Sequence, residues 1–376
     1  MDYTTQSLSF KVKKTLRYIR LYGIKRTLMK VKGQYHMKKV YESLPELPAA
    51  GDHKGRIGLI GCGNYAFCNI AYYLDKHSKG AIRACMDKDI ARAASLYESF
   101  GLQSYTDDAA KIVSDRDIEL VYIASNHASH AEYAIDCIKA GKHVHIEKPH
   151  VVSRDQLDRL MAAMRTHPDA KVYLGFNRPR SKLFRKLQGF LAQQSGPLMI
   201  NWFIAGHEIP DDHWYFDEAE GGRVLGNLCH WTDLTLHLVG LDNAFPCTIV
   251  PATPENAKSD FVVSVMFADR SCASITFSAK GHTFEGVREV LNLHKGDVMA
   301  NLTDFQTLSI DLVEKQYRFS SLFRDHGHEV NVVNSYRGIE EADSLGESPH
   351  HVRATGLFFL AIKDAIDTGR AVELSI

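Results

Sequence analysis

A glycine-rich turn near residue 60 constrains the fold of this chain more than any other stretch. The mostly apolar run from 57 to 60 is typical of a buried parallel strand. Gly61, Gly63 and Ala66 follow at the spacing G-x-G-x-x-A, and residues 67–74 carry apolar side chains at helical spacing. A strand, a glycine turn and a helix in this order form the unit that binds the pyrophosphate of a dinucleotide.

The small residues of this turn have separate tasks in such a unit. Gly61 permits the tight turn, Gly63 lets the backbone approach the phosphates, and Ala66 lets the helix pack closely on the strand. The free N–H groups at the start of the helix face the anion. We therefore predict cofactor binding at Gly61, Gly63, Asn64, Tyr65 and Ala66.

The composition is that of a soluble globular protein. The 376 residues suffice for two domains, and 45% are hydrophobic and 24% charged. No apolar run approaches the roughly 20 residues that span a bilayer, and the N-terminus lacks the apolar segment of a secretory signal. The seven cysteines are scattered and form no C-x-x-C pair. These features predict a cytoplasmic protein with reduced thiols and no metal site.

The first 42 residues differ in charge from the rest. Eleven Lys and Arg and no acidic residue lie between Tyr3 and Tyr41, whereas the whole chain has 45 residues of each sign. We predict a basic helical extension over 1–55, ending in a linker over 43–55 that is rich in helix breakers. Two interpretations of this extension stay open. In the first, it contacts an anionic membrane surface or a partner protein, and membrane contact would make the protein peripheral at the membrane. In the second, it packs on the acidic body of the protein's own oligomer. Nucleic acid is not a predicted partner, because no recognised binding motif accompanies the charge.

From 56 to 178 apolar strands alternate with helices. Strands are predicted at Ala81–Met86, Leu120–Ala124, His143–Ile146 and Val172–Gly175. Such alternation predicts a doubly wound, parallel Rossmann sheet with right-handed crossovers. Ligands bind at the carboxyl ends of these strands, and polar side chains follow each of them.

Asp87 ends the second of these strands, 21 residues beyond Ala66. An acidic residue at this distance hydrogen-bonds the adenosine ribose and disfavours a 2′-phosphate. Lys88 follows, and a lysine tolerates a phosphate. The predicted cofactor is therefore NAD, with NADP left open.

The pattern changes after residue 178. Longer, partly alternating strands run from Leu198–Ala205 to Asp297–Thr303, with helices at Cys229–Val239 and His351–Thr368. They predict an α+β domain over 179–376 with a mostly antiparallel open sheet. The predicted helices cover only one face of this sheet. Because the other face also needs cover, we predict a homo-oligomer.

Several motifs stand in an order that resembles the glucose–fructose oxidoreductase / inositol dehydrogenase (Gfo/Idh/MocA) family over roughly residues 55–376. The segment 209–230 is most similar to members from polysaccharide biosynthesis. The motifs are Gly61–Ala66, Asp87, Ser125–His130, Glu147–Pro149, Gly175–Arg178 and Gly221–His230.

The resemblance implies a nicotinamide-dependent oxidoreductase acting on a sugar or nucleotide sugar. It implies that Lys148 and His230 flank the substrate carbon beside the nicotinamide. The further residues that it implies are Ser125, Asn126, His127, His130, Glu147 and Lys148 for the cofactor, and Lys148, Asn177, Arg178, Asn227 and His230 for the substrate.

Oxidation of a secondary alcohol needs a base for the hydroxyl proton and a cation for the developing alkoxide. His230 has the right unperturbed pKa for the base, and Lys148 supplies the cation. The family has an aspartate four residues before this histidine, but Gly226 occupies that position here. Asp233, on the same helix face as His230, is the alternative that would raise its pKa. His213 is a second candidate for the base.

The missing aspartate keeps a second reading open. The protein is then a glycosidase or epimerase that works by transient oxidation, or a nucleotide-binding protein without catalysis. The sequence fixes neither the sugar nor the direction of the reaction.

Overall fold

The computed structural model describes residues 3–47, 54–254, 257–281, 284–341 and 346–376. Residues 48–53 of the predicted linker therefore lie outside the described residues. The chain begins with two helices, α1 (Leu8–Tyr22) and α2 (Ile24–His36), and continues into two sheets. None of the helices described is both long enough and apolar enough to cross a membrane.

The first sheet is parallel and has the strand order β3-β2-β1-β4-β5-β6. Its strands are β1 (Ile57–Ile60), β2 (Ile82–Met86), β3 (Ser104–Thr106), β4 (Leu120–Ile123), β5 (His143–Ile146) and β6 (Val172–Leu174). The helices between them are α3 (Tyr72–His77), α4 (Ile90–Phe100), α5 (Ala109–Ser114), α6 (His127–Lys139) and α7 (Arg154–Thr166), with a π-helical turn over Ala66–Ala71 before α3. The order reverses between β1 and β4, which leaves a crevice at their carboxyl ends. The predicted Rossmann fold is confirmed.

Gly61 shows why the glycine turn folds in this way. Its φ of +91° lies in the region that favours glycine, and a Cβ there would lie 2.5 Å from the carbonyl group of Ala124. Gly61 therefore lets β1 turn into the following helix directly against the end of β4.

The second sheet has nine strands in the order β14-β13-β12-β11-β7-β10-β9-β8-β15. All its neighbouring pairs are antiparallel except β7 with β10, so the predicted mostly antiparallel sheet is also confirmed. Its strands are β7 (Leu198–Ala205), β8 (Cys247–Pro251), β9 (Phe261–Met266), β10 (Cys272–Ser278), β11 (Arg288–Lys295), β12 (Val298–Thr303), β13 (Thr307–Leu312), β14 (Lys315–Ser320) and β15 (Val372–Leu374). The helices of this part are α8 (Lys182–Leu191), α9 (Cys229–Val239), α10 (Leu241–Ala244), α11 (His328–Glu340) and α12 (Pro349–Thr368).

The sequence does not predict β3, β14 or β15. All three strands are at the edges of their sheets. An edge strand is only partly buried and pairs on one side, so its sequence carries a weaker apolar signal. In β14, for example, every residue is exposed or only partly buried.

Helix α11 packs on the parallel sheet, although it lies in the sequence range of the second domain. The Tyr122 hydroxyl donates to the Val332 carbonyl at 2.7 Å, and His145 Nδ1 lies 2.8 Å from Ser335 Oγ. Asn331 Nδ2 donates to the Leu174 carbonyl at 3.2 Å. These contacts join the two parts of the chain through buried polar groups.

The basic extension packs on the body of its own chain. The Leu21 carbonyl at the end of α1 accepts from the Arg324 backbone N–H at 2.8 Å, and Arg17 pairs with Glu285. The outer side of the extension stays open, since Leu8 is 77% exposed and Leu16 is 59% exposed. Its inner side thus has an intramolecular partner.

Candidate active site

A cleft of about 700 Å³ lies at the carboxyl ends of β1, β2, β4 and β5. It brings together eleven of the twelve residues predicted for the cofactor, while Ala66 is buried under the turn. The eleven are Gly61, Gly63, Asn64, Tyr65, Asp87, Ser125, Asn126, His127, His130, Glu147 and Lys148.

The glycine turn leaves room for a dinucleotide phosphate. A Cβ added to Gly63 would meet no heavy atom within 4 Å, so the backbone is bare on the side of the cleft. The Cys62 N–H donates to Asp87 Oδ2 at 2.7 Å, and Asp87 Oδ1 accepts from the Asp89 N–H at 2.9 Å. The carboxylate is thus held at the rim where a ribose would lie, which fits the predicted cofactor.

Two cations stand beside Asp87 in the cleft. Lys88 and Arg92 both line it. They would suit a 2′-phosphate, whereas Asp87 would repel it. The adenosine end of the cleft therefore contains one group that favours NAD, Asp87, and two that favour NADP, Lys88 and Arg92.

Lys148 extends from the end of β5 towards the second part of the chain. Its ammonium donates to the Gly226 carbonyl at 2.7 Å. The peptide bond to Pro149 is cis, and the Pro149 carbonyl lies 2.7 Å from His130 Nδ1. Because His130 Nε2 also lies 3.1 Å from the Ser125 carbonyl, His130 ties the ends of β4 and β5 together.

The side chains around Gly226 explain the absence of the family's aspartate. Gly226 lies in a π-helical turn over Val224–Leu228, just before α9. A Cβ there would lie 2.7 Å from His127 Cε1 and 2.8 Å from Tyr215 Cε2. The His127 and Tyr215 rings thus fill the space that an aspartate would need.

His230 lies near the start of α9, one turn after Gly226. Its Nδ1 is buried without a hydrogen-bond partner among the described residues, and so is Asn227 Oδ1. Burial, and then the positive charges of Arg178 and Lys148, hold the pKa of His230 well below its usual range. The imidazole is therefore neutral at neutral pH. His230 does not itself line the cleft; its ring lies beside Phe176, with 6.1 Å between centroids.

Asp233 does not assist His230, and that prediction is wrong. Asp233 Oδ1 lies 3.1 Å from His351 Nε2 and accepts from Thr355 Oγ1 at 3.2 Å. Asp233 Oδ2 lies 3.5 Å from His237 Nε2. Helix α12 thus captures the carboxylate, and the pKa of His230 falls rather than rises.

Asn177 and Arg178, predicted to bind the substrate, are both buried. Asn177 is 1% exposed and donates to the His326 carbonyl at 2.6 Å. Arg178 pairs with the buried Glu289 at 2.8 Å. Although burial alone raises the pKa of Glu289, Arg178 and His326 lower it to about 2. Arg178 thus belongs to a buried ion pair with Glu289, and Asn177 bonds the backbone of His326, whose ring also contacts Glu289.

His213 lines the cleft on its outer side. Its Nδ1 accepts from the Tyr215 backbone N–H at 3.2 Å, so it caps a short 3₁₀ turn over Trp214–Phe216. Burial and the charge of Arg223 lower its pKa. It is neutral, like His230, and nearer to solvent.

Asp233, His237 and His351 have the spacing of metal ligands, with one atom of each within 4.8 Å of the others. Although burial lowers it, hydrogen bonds to Asp233 and Glu347 raise the pKa of His351 to about 10. A metal ligand needs a neutral imidazole, whereas His351 donates from both ring nitrogens. The group is thus an ion-pair network rather than a ready metal site.

Among the residues that sequence reasoning missed are Trp214 and Tyr215 in the cleft and Glu220 beside it. Trp214 and Tyr215 line it and pack on the His127 ring at 4.8 and 4.7 Å between centroids. Glu220 accepts from Asn126 Nδ2 at 2.5 Å and from the Ala128 N–H at 3.2 Å, so it holds the start of α6. Neighbouring aromatic residues in a loop without regular periodicity were the only available signal.

Residues 55–176 match the model of an oxidoreductase family with an NAD-binding Rossmann fold, GFO_IDH_MocA. Over these residues the chain is similar to the Gfo/Idh/MocA family. The family match covers the glycine turn, Asp87 and the Glu147–Pro149 motif, and thus most of the cleft.

Curated relatives align over about half of this chain. Inositol 2-dehydrogenase of Ralstonia nicotianae is 27% identical over 209 residues, which are 54% of this chain and 60% of the relative. Oxidoreductase P35 of Formosa agariphila is 28% identical over 196 residues, or 49% of this chain and 60% of that protein. The chain therefore spans about 60% of the length of the curated relatives it matches.

Solved structures share the fold over most of the chain. A levoglucosan dehydrogenase in complex with NADH and levoglucosan superposes with a TM-score of 0.70 at 18% identity, covering 84% of this chain and 98% of that one. GenD2 from gentamicin A biosynthesis, in complex with NAD, gives a TM-score of 0.69 at 18% identity, covering 88% and 100%. At this identity the likeness shows the fold.

Proposed function

We propose that the protein is an NAD(P)-dependent oxidoreductase that transfers a hydride between nicotinamide and a secondary hydroxyl or keto carbon of a sugar or nucleotide sugar. The observation that carries the proposal is the meeting of Lys148 with the turn before His230, beside the open glycine turn. The curated inositol 2-dehydrogenase and the structure of levoglucosan dehydrogenase support the class of substrate.

The cofactor is held by residues that follow four strands, β1, β2, β4 and β5. Gly63 gives the pyrophosphate access to the backbone, and Asp87 binds the ribose. Ser125 and Glu147 lie further along the cleft, towards Lys148. When bound, nicotinamide supplies the acceptor or donor of the hydride.

Lys148 and His230 divide the remaining work. An ammonium has three donors, and only one is used on Gly226, so two remain for the substrate oxygen. This cation stabilises the alkoxide that develops as the carbon is oxidised. His230 is neutral and its buried Nδ1 has no partner among the described residues, so it is free to accept the hydroxyl proton.

The activity is tested with a panel of sugars and nucleotide sugars and either form of the cofactor. A dehydrogenase changes the absorbance of reduced nicotinamide in step with product. A flat absorbance with product formation would instead identify transient oxidation, as in an epimerase or glycosidase. Purified Lys148→Ala protein in the same panel excludes contaminating enzymes.

The open face of the nine-stranded sheet supports a homo-oligomer. Met299, Met199 and Met266 lie in one row across it. His294 of β11 is the register partner of both Met299 and Met199, and Cys272 of β10 is the register partner of both Met199 and Met266. They are 59%, 60% and 54% exposed, and Phe203 on the same face of β7 is 50% exposed. Exposed apolar rows of this kind mark association surfaces. A second copy of the same sheet face is the partner.

The outer face of the basic extension supports contact with an anionic membrane surface. Leu8, Val12 and Leu16 are spaced four residues apart on α1 and are at least half exposed. Lys13 and Arg20 are exposed beside them, and no acidic residue lies between 3 and 41. An apolar stripe flanked by lysine and arginine is the pattern of helices that lie on anionic lipid.

A further inference from the structure

Helix α2 packs directly against the glycine turn, and Gly33 is its point of closest approach. A Cβ added to Gly33 would clash with Cys68 Sγ and with Asn64 Oδ1. Arg26 of the same helix hydrogen-bonds the Cys68 carbonyl and the Asn69 side chain. The extension therefore touches the turn and the first helix after it, although it lies outside the family match.

His36, the last residue of α2, is placed between the turn and α4. It is 4% exposed, and its ring stacks on Phe67 with 4.3 Å between centroids. Its Nε2 lies 2.7 Å from the Cys62 carbonyl, and its Nδ1 lies 2.9 Å from Ser95 Oγ. Because a carbonyl only accepts, Nε2 carries the proton and donates to Cys62, and Nδ1 accepts from the Ser95 hydroxyl in the neutral ring. Burial lowers the pKa of His36, which favours this neutral form.

The residue Cys62 is thus held on both sides. Its N–H donates to Asp87 and its carbonyl accepts from His36. The Cys62 carbonyl and the Gly63 N–H belong to one planar, trans peptide, so they point in opposite directions. By fixing the carbonyl, His36 also fixes the direction of the Gly63 N–H, which points away from His36.

We infer that His36 is a positioning residue of the dinucleotide site, and that the basic extension completes this site by orienting the Cys62–Gly63 peptide towards the pyrophosphate. The end of α2 also reaches the cleft itself, since Met37 lines it together with Asp87. The inference rests on the proposed function only for the identity of the ligand, a dinucleotide with a pyrophosphate.

The test is a calorimetric titration of the full-length protein with NADH and with ADP-ribose, which has the pyrophosphate but no nicotinamide. His36→Phe keeps the ring stack and loses the donor. We expect it to weaken both ligands about three- to tenfold, the range for one hydrogen bond. In turnover, the KM for the dinucleotide rises, while kcat and the KM for the sugar stay unchanged. His36→Gln, whose amide can donate to Cys62, restores part of the affinity.

Controls separate this role from a structural one. Tyr35→Ala alters the exposed neighbour on the same helix and should leave both affinities unchanged. Gly33→Ala pushes α2 off the turn, so it should show the same loss even where His36→Phe does not fold. Two results would overturn the inference: wild-type affinity in both His36→Phe and Gly33→Ala, or a loss of affinity for NADH without a loss for ADP-ribose. Either result would leave the proposed function intact. Failure of the wild-type protein to bind NADH would overturn both.

Discussion

The Lys148 ammonium lies 2.7 Å from the Gly226 carbonyl oxygen and so joins the end of β5 to the π-helical turn before His230. The Glu147–Pro149 motif on the Rossmann side therefore meets the turn that precedes the candidate base, His230. The rings of His127 and Tyr215 take the place of an assisting aspartate. In the proposed mechanism, a neutral histidine then accepts the proton without an assisting aspartate.

Replacing Lys148 by alanine removes the cation at this point. We expect the turnover rate to fall by about two orders of magnitude or more, since the developing alkoxide loses its charge partner. The affinity for NADH, measured by calorimetry, should change much less. Lys79→Ala removes an exposed lysine elsewhere and is the matched control. Near-normal turnover in Lys148→Ala would exclude Lys148 from catalysis.

The lowered pKa of His230 determines how the rate of sugar oxidation should change with pH. The base must be deprotonated, and His230 is deprotonated above its own pKa, which lies well below 6.5. The rate of sugar oxidation should therefore show no histidine step between pH 6.5 and 8 and should fall only at lower pH. His230→Ala should lower turnover by about 10²–10⁴ and remove that acid limb. If instead the alanine variant keeps the rate and the profile, His213 is the next residue to test.

Lys148 and His230 act on the same oxygen and its proton. The losses of the two alanine variants should therefore not add in the double variant.

Gly63→Val places a side chain on the bare side of the turn. We expect NADH binding to be lost while the thermal unfolding midpoint changes little, because the new Cβ meets no protein atom within 4 Å. Gly189→Val in α8, where a Cβ also meets nothing within 4 Å, is the matched control. If Gly63→Val bound NADH with wild-type affinity, the pyrophosphate could not be assigned to this turn.

Met199→Glu puts a charge in the middle of the exposed row on the nine-stranded sheet. A carboxylate buried at an association surface without a partner is costly, so we expect the oligomer to dissociate. Sedimentation velocity at micromolar concentration measures this, with the exposed Leu322→Glu as control. A wild-type protein that sediments as a monomer would end the oligomer proposal.

Val12→Glu together with Leu16→Glu breaks the apolar stripe of α1. The wild-type protein should co-sediment with vesicles that contain anionic lipid and not with neutral ones, and the double variant should stay in solution. Binding should weaken as salt rises, because the attraction is partly between exposed charges. An absence of wild-type binding to the anionic vesicles would contradict the proposal.

Local periodicity was enough to predict most strands and helices, since β1, β5 and β7 have the bounds read from the sequence. Strands buried on both faces are continuous apolar runs, and strands of an open sheet alternate, so each kind leaves its pattern in neighbouring residues. The polar residues after the parallel strands also meet in one cleft, because parallel strands end at the same edge.

Segments distant in sequence provide the partners of two side chains whose roles were predicted from the sequence. Asp233 stands on the same helix face as His230, yet His351 and Thr355 of α12 bind its carboxylate. Arg178 follows a strand end, as a substrate residue would, yet Glu289 of β11 holds it.

The sequence alone therefore determined the two sheets, the glycine turn and the position of the cleft, because these depend on patterns within a few residues. Tertiary structure alone decided which polar groups are satisfied within the protein and which stay available to a ligand. A buried polar group takes whichever partner the fold brings within hydrogen-bond distance, and for His36 that partner is the carbonyl of Cys62, 26 residues away along the chain.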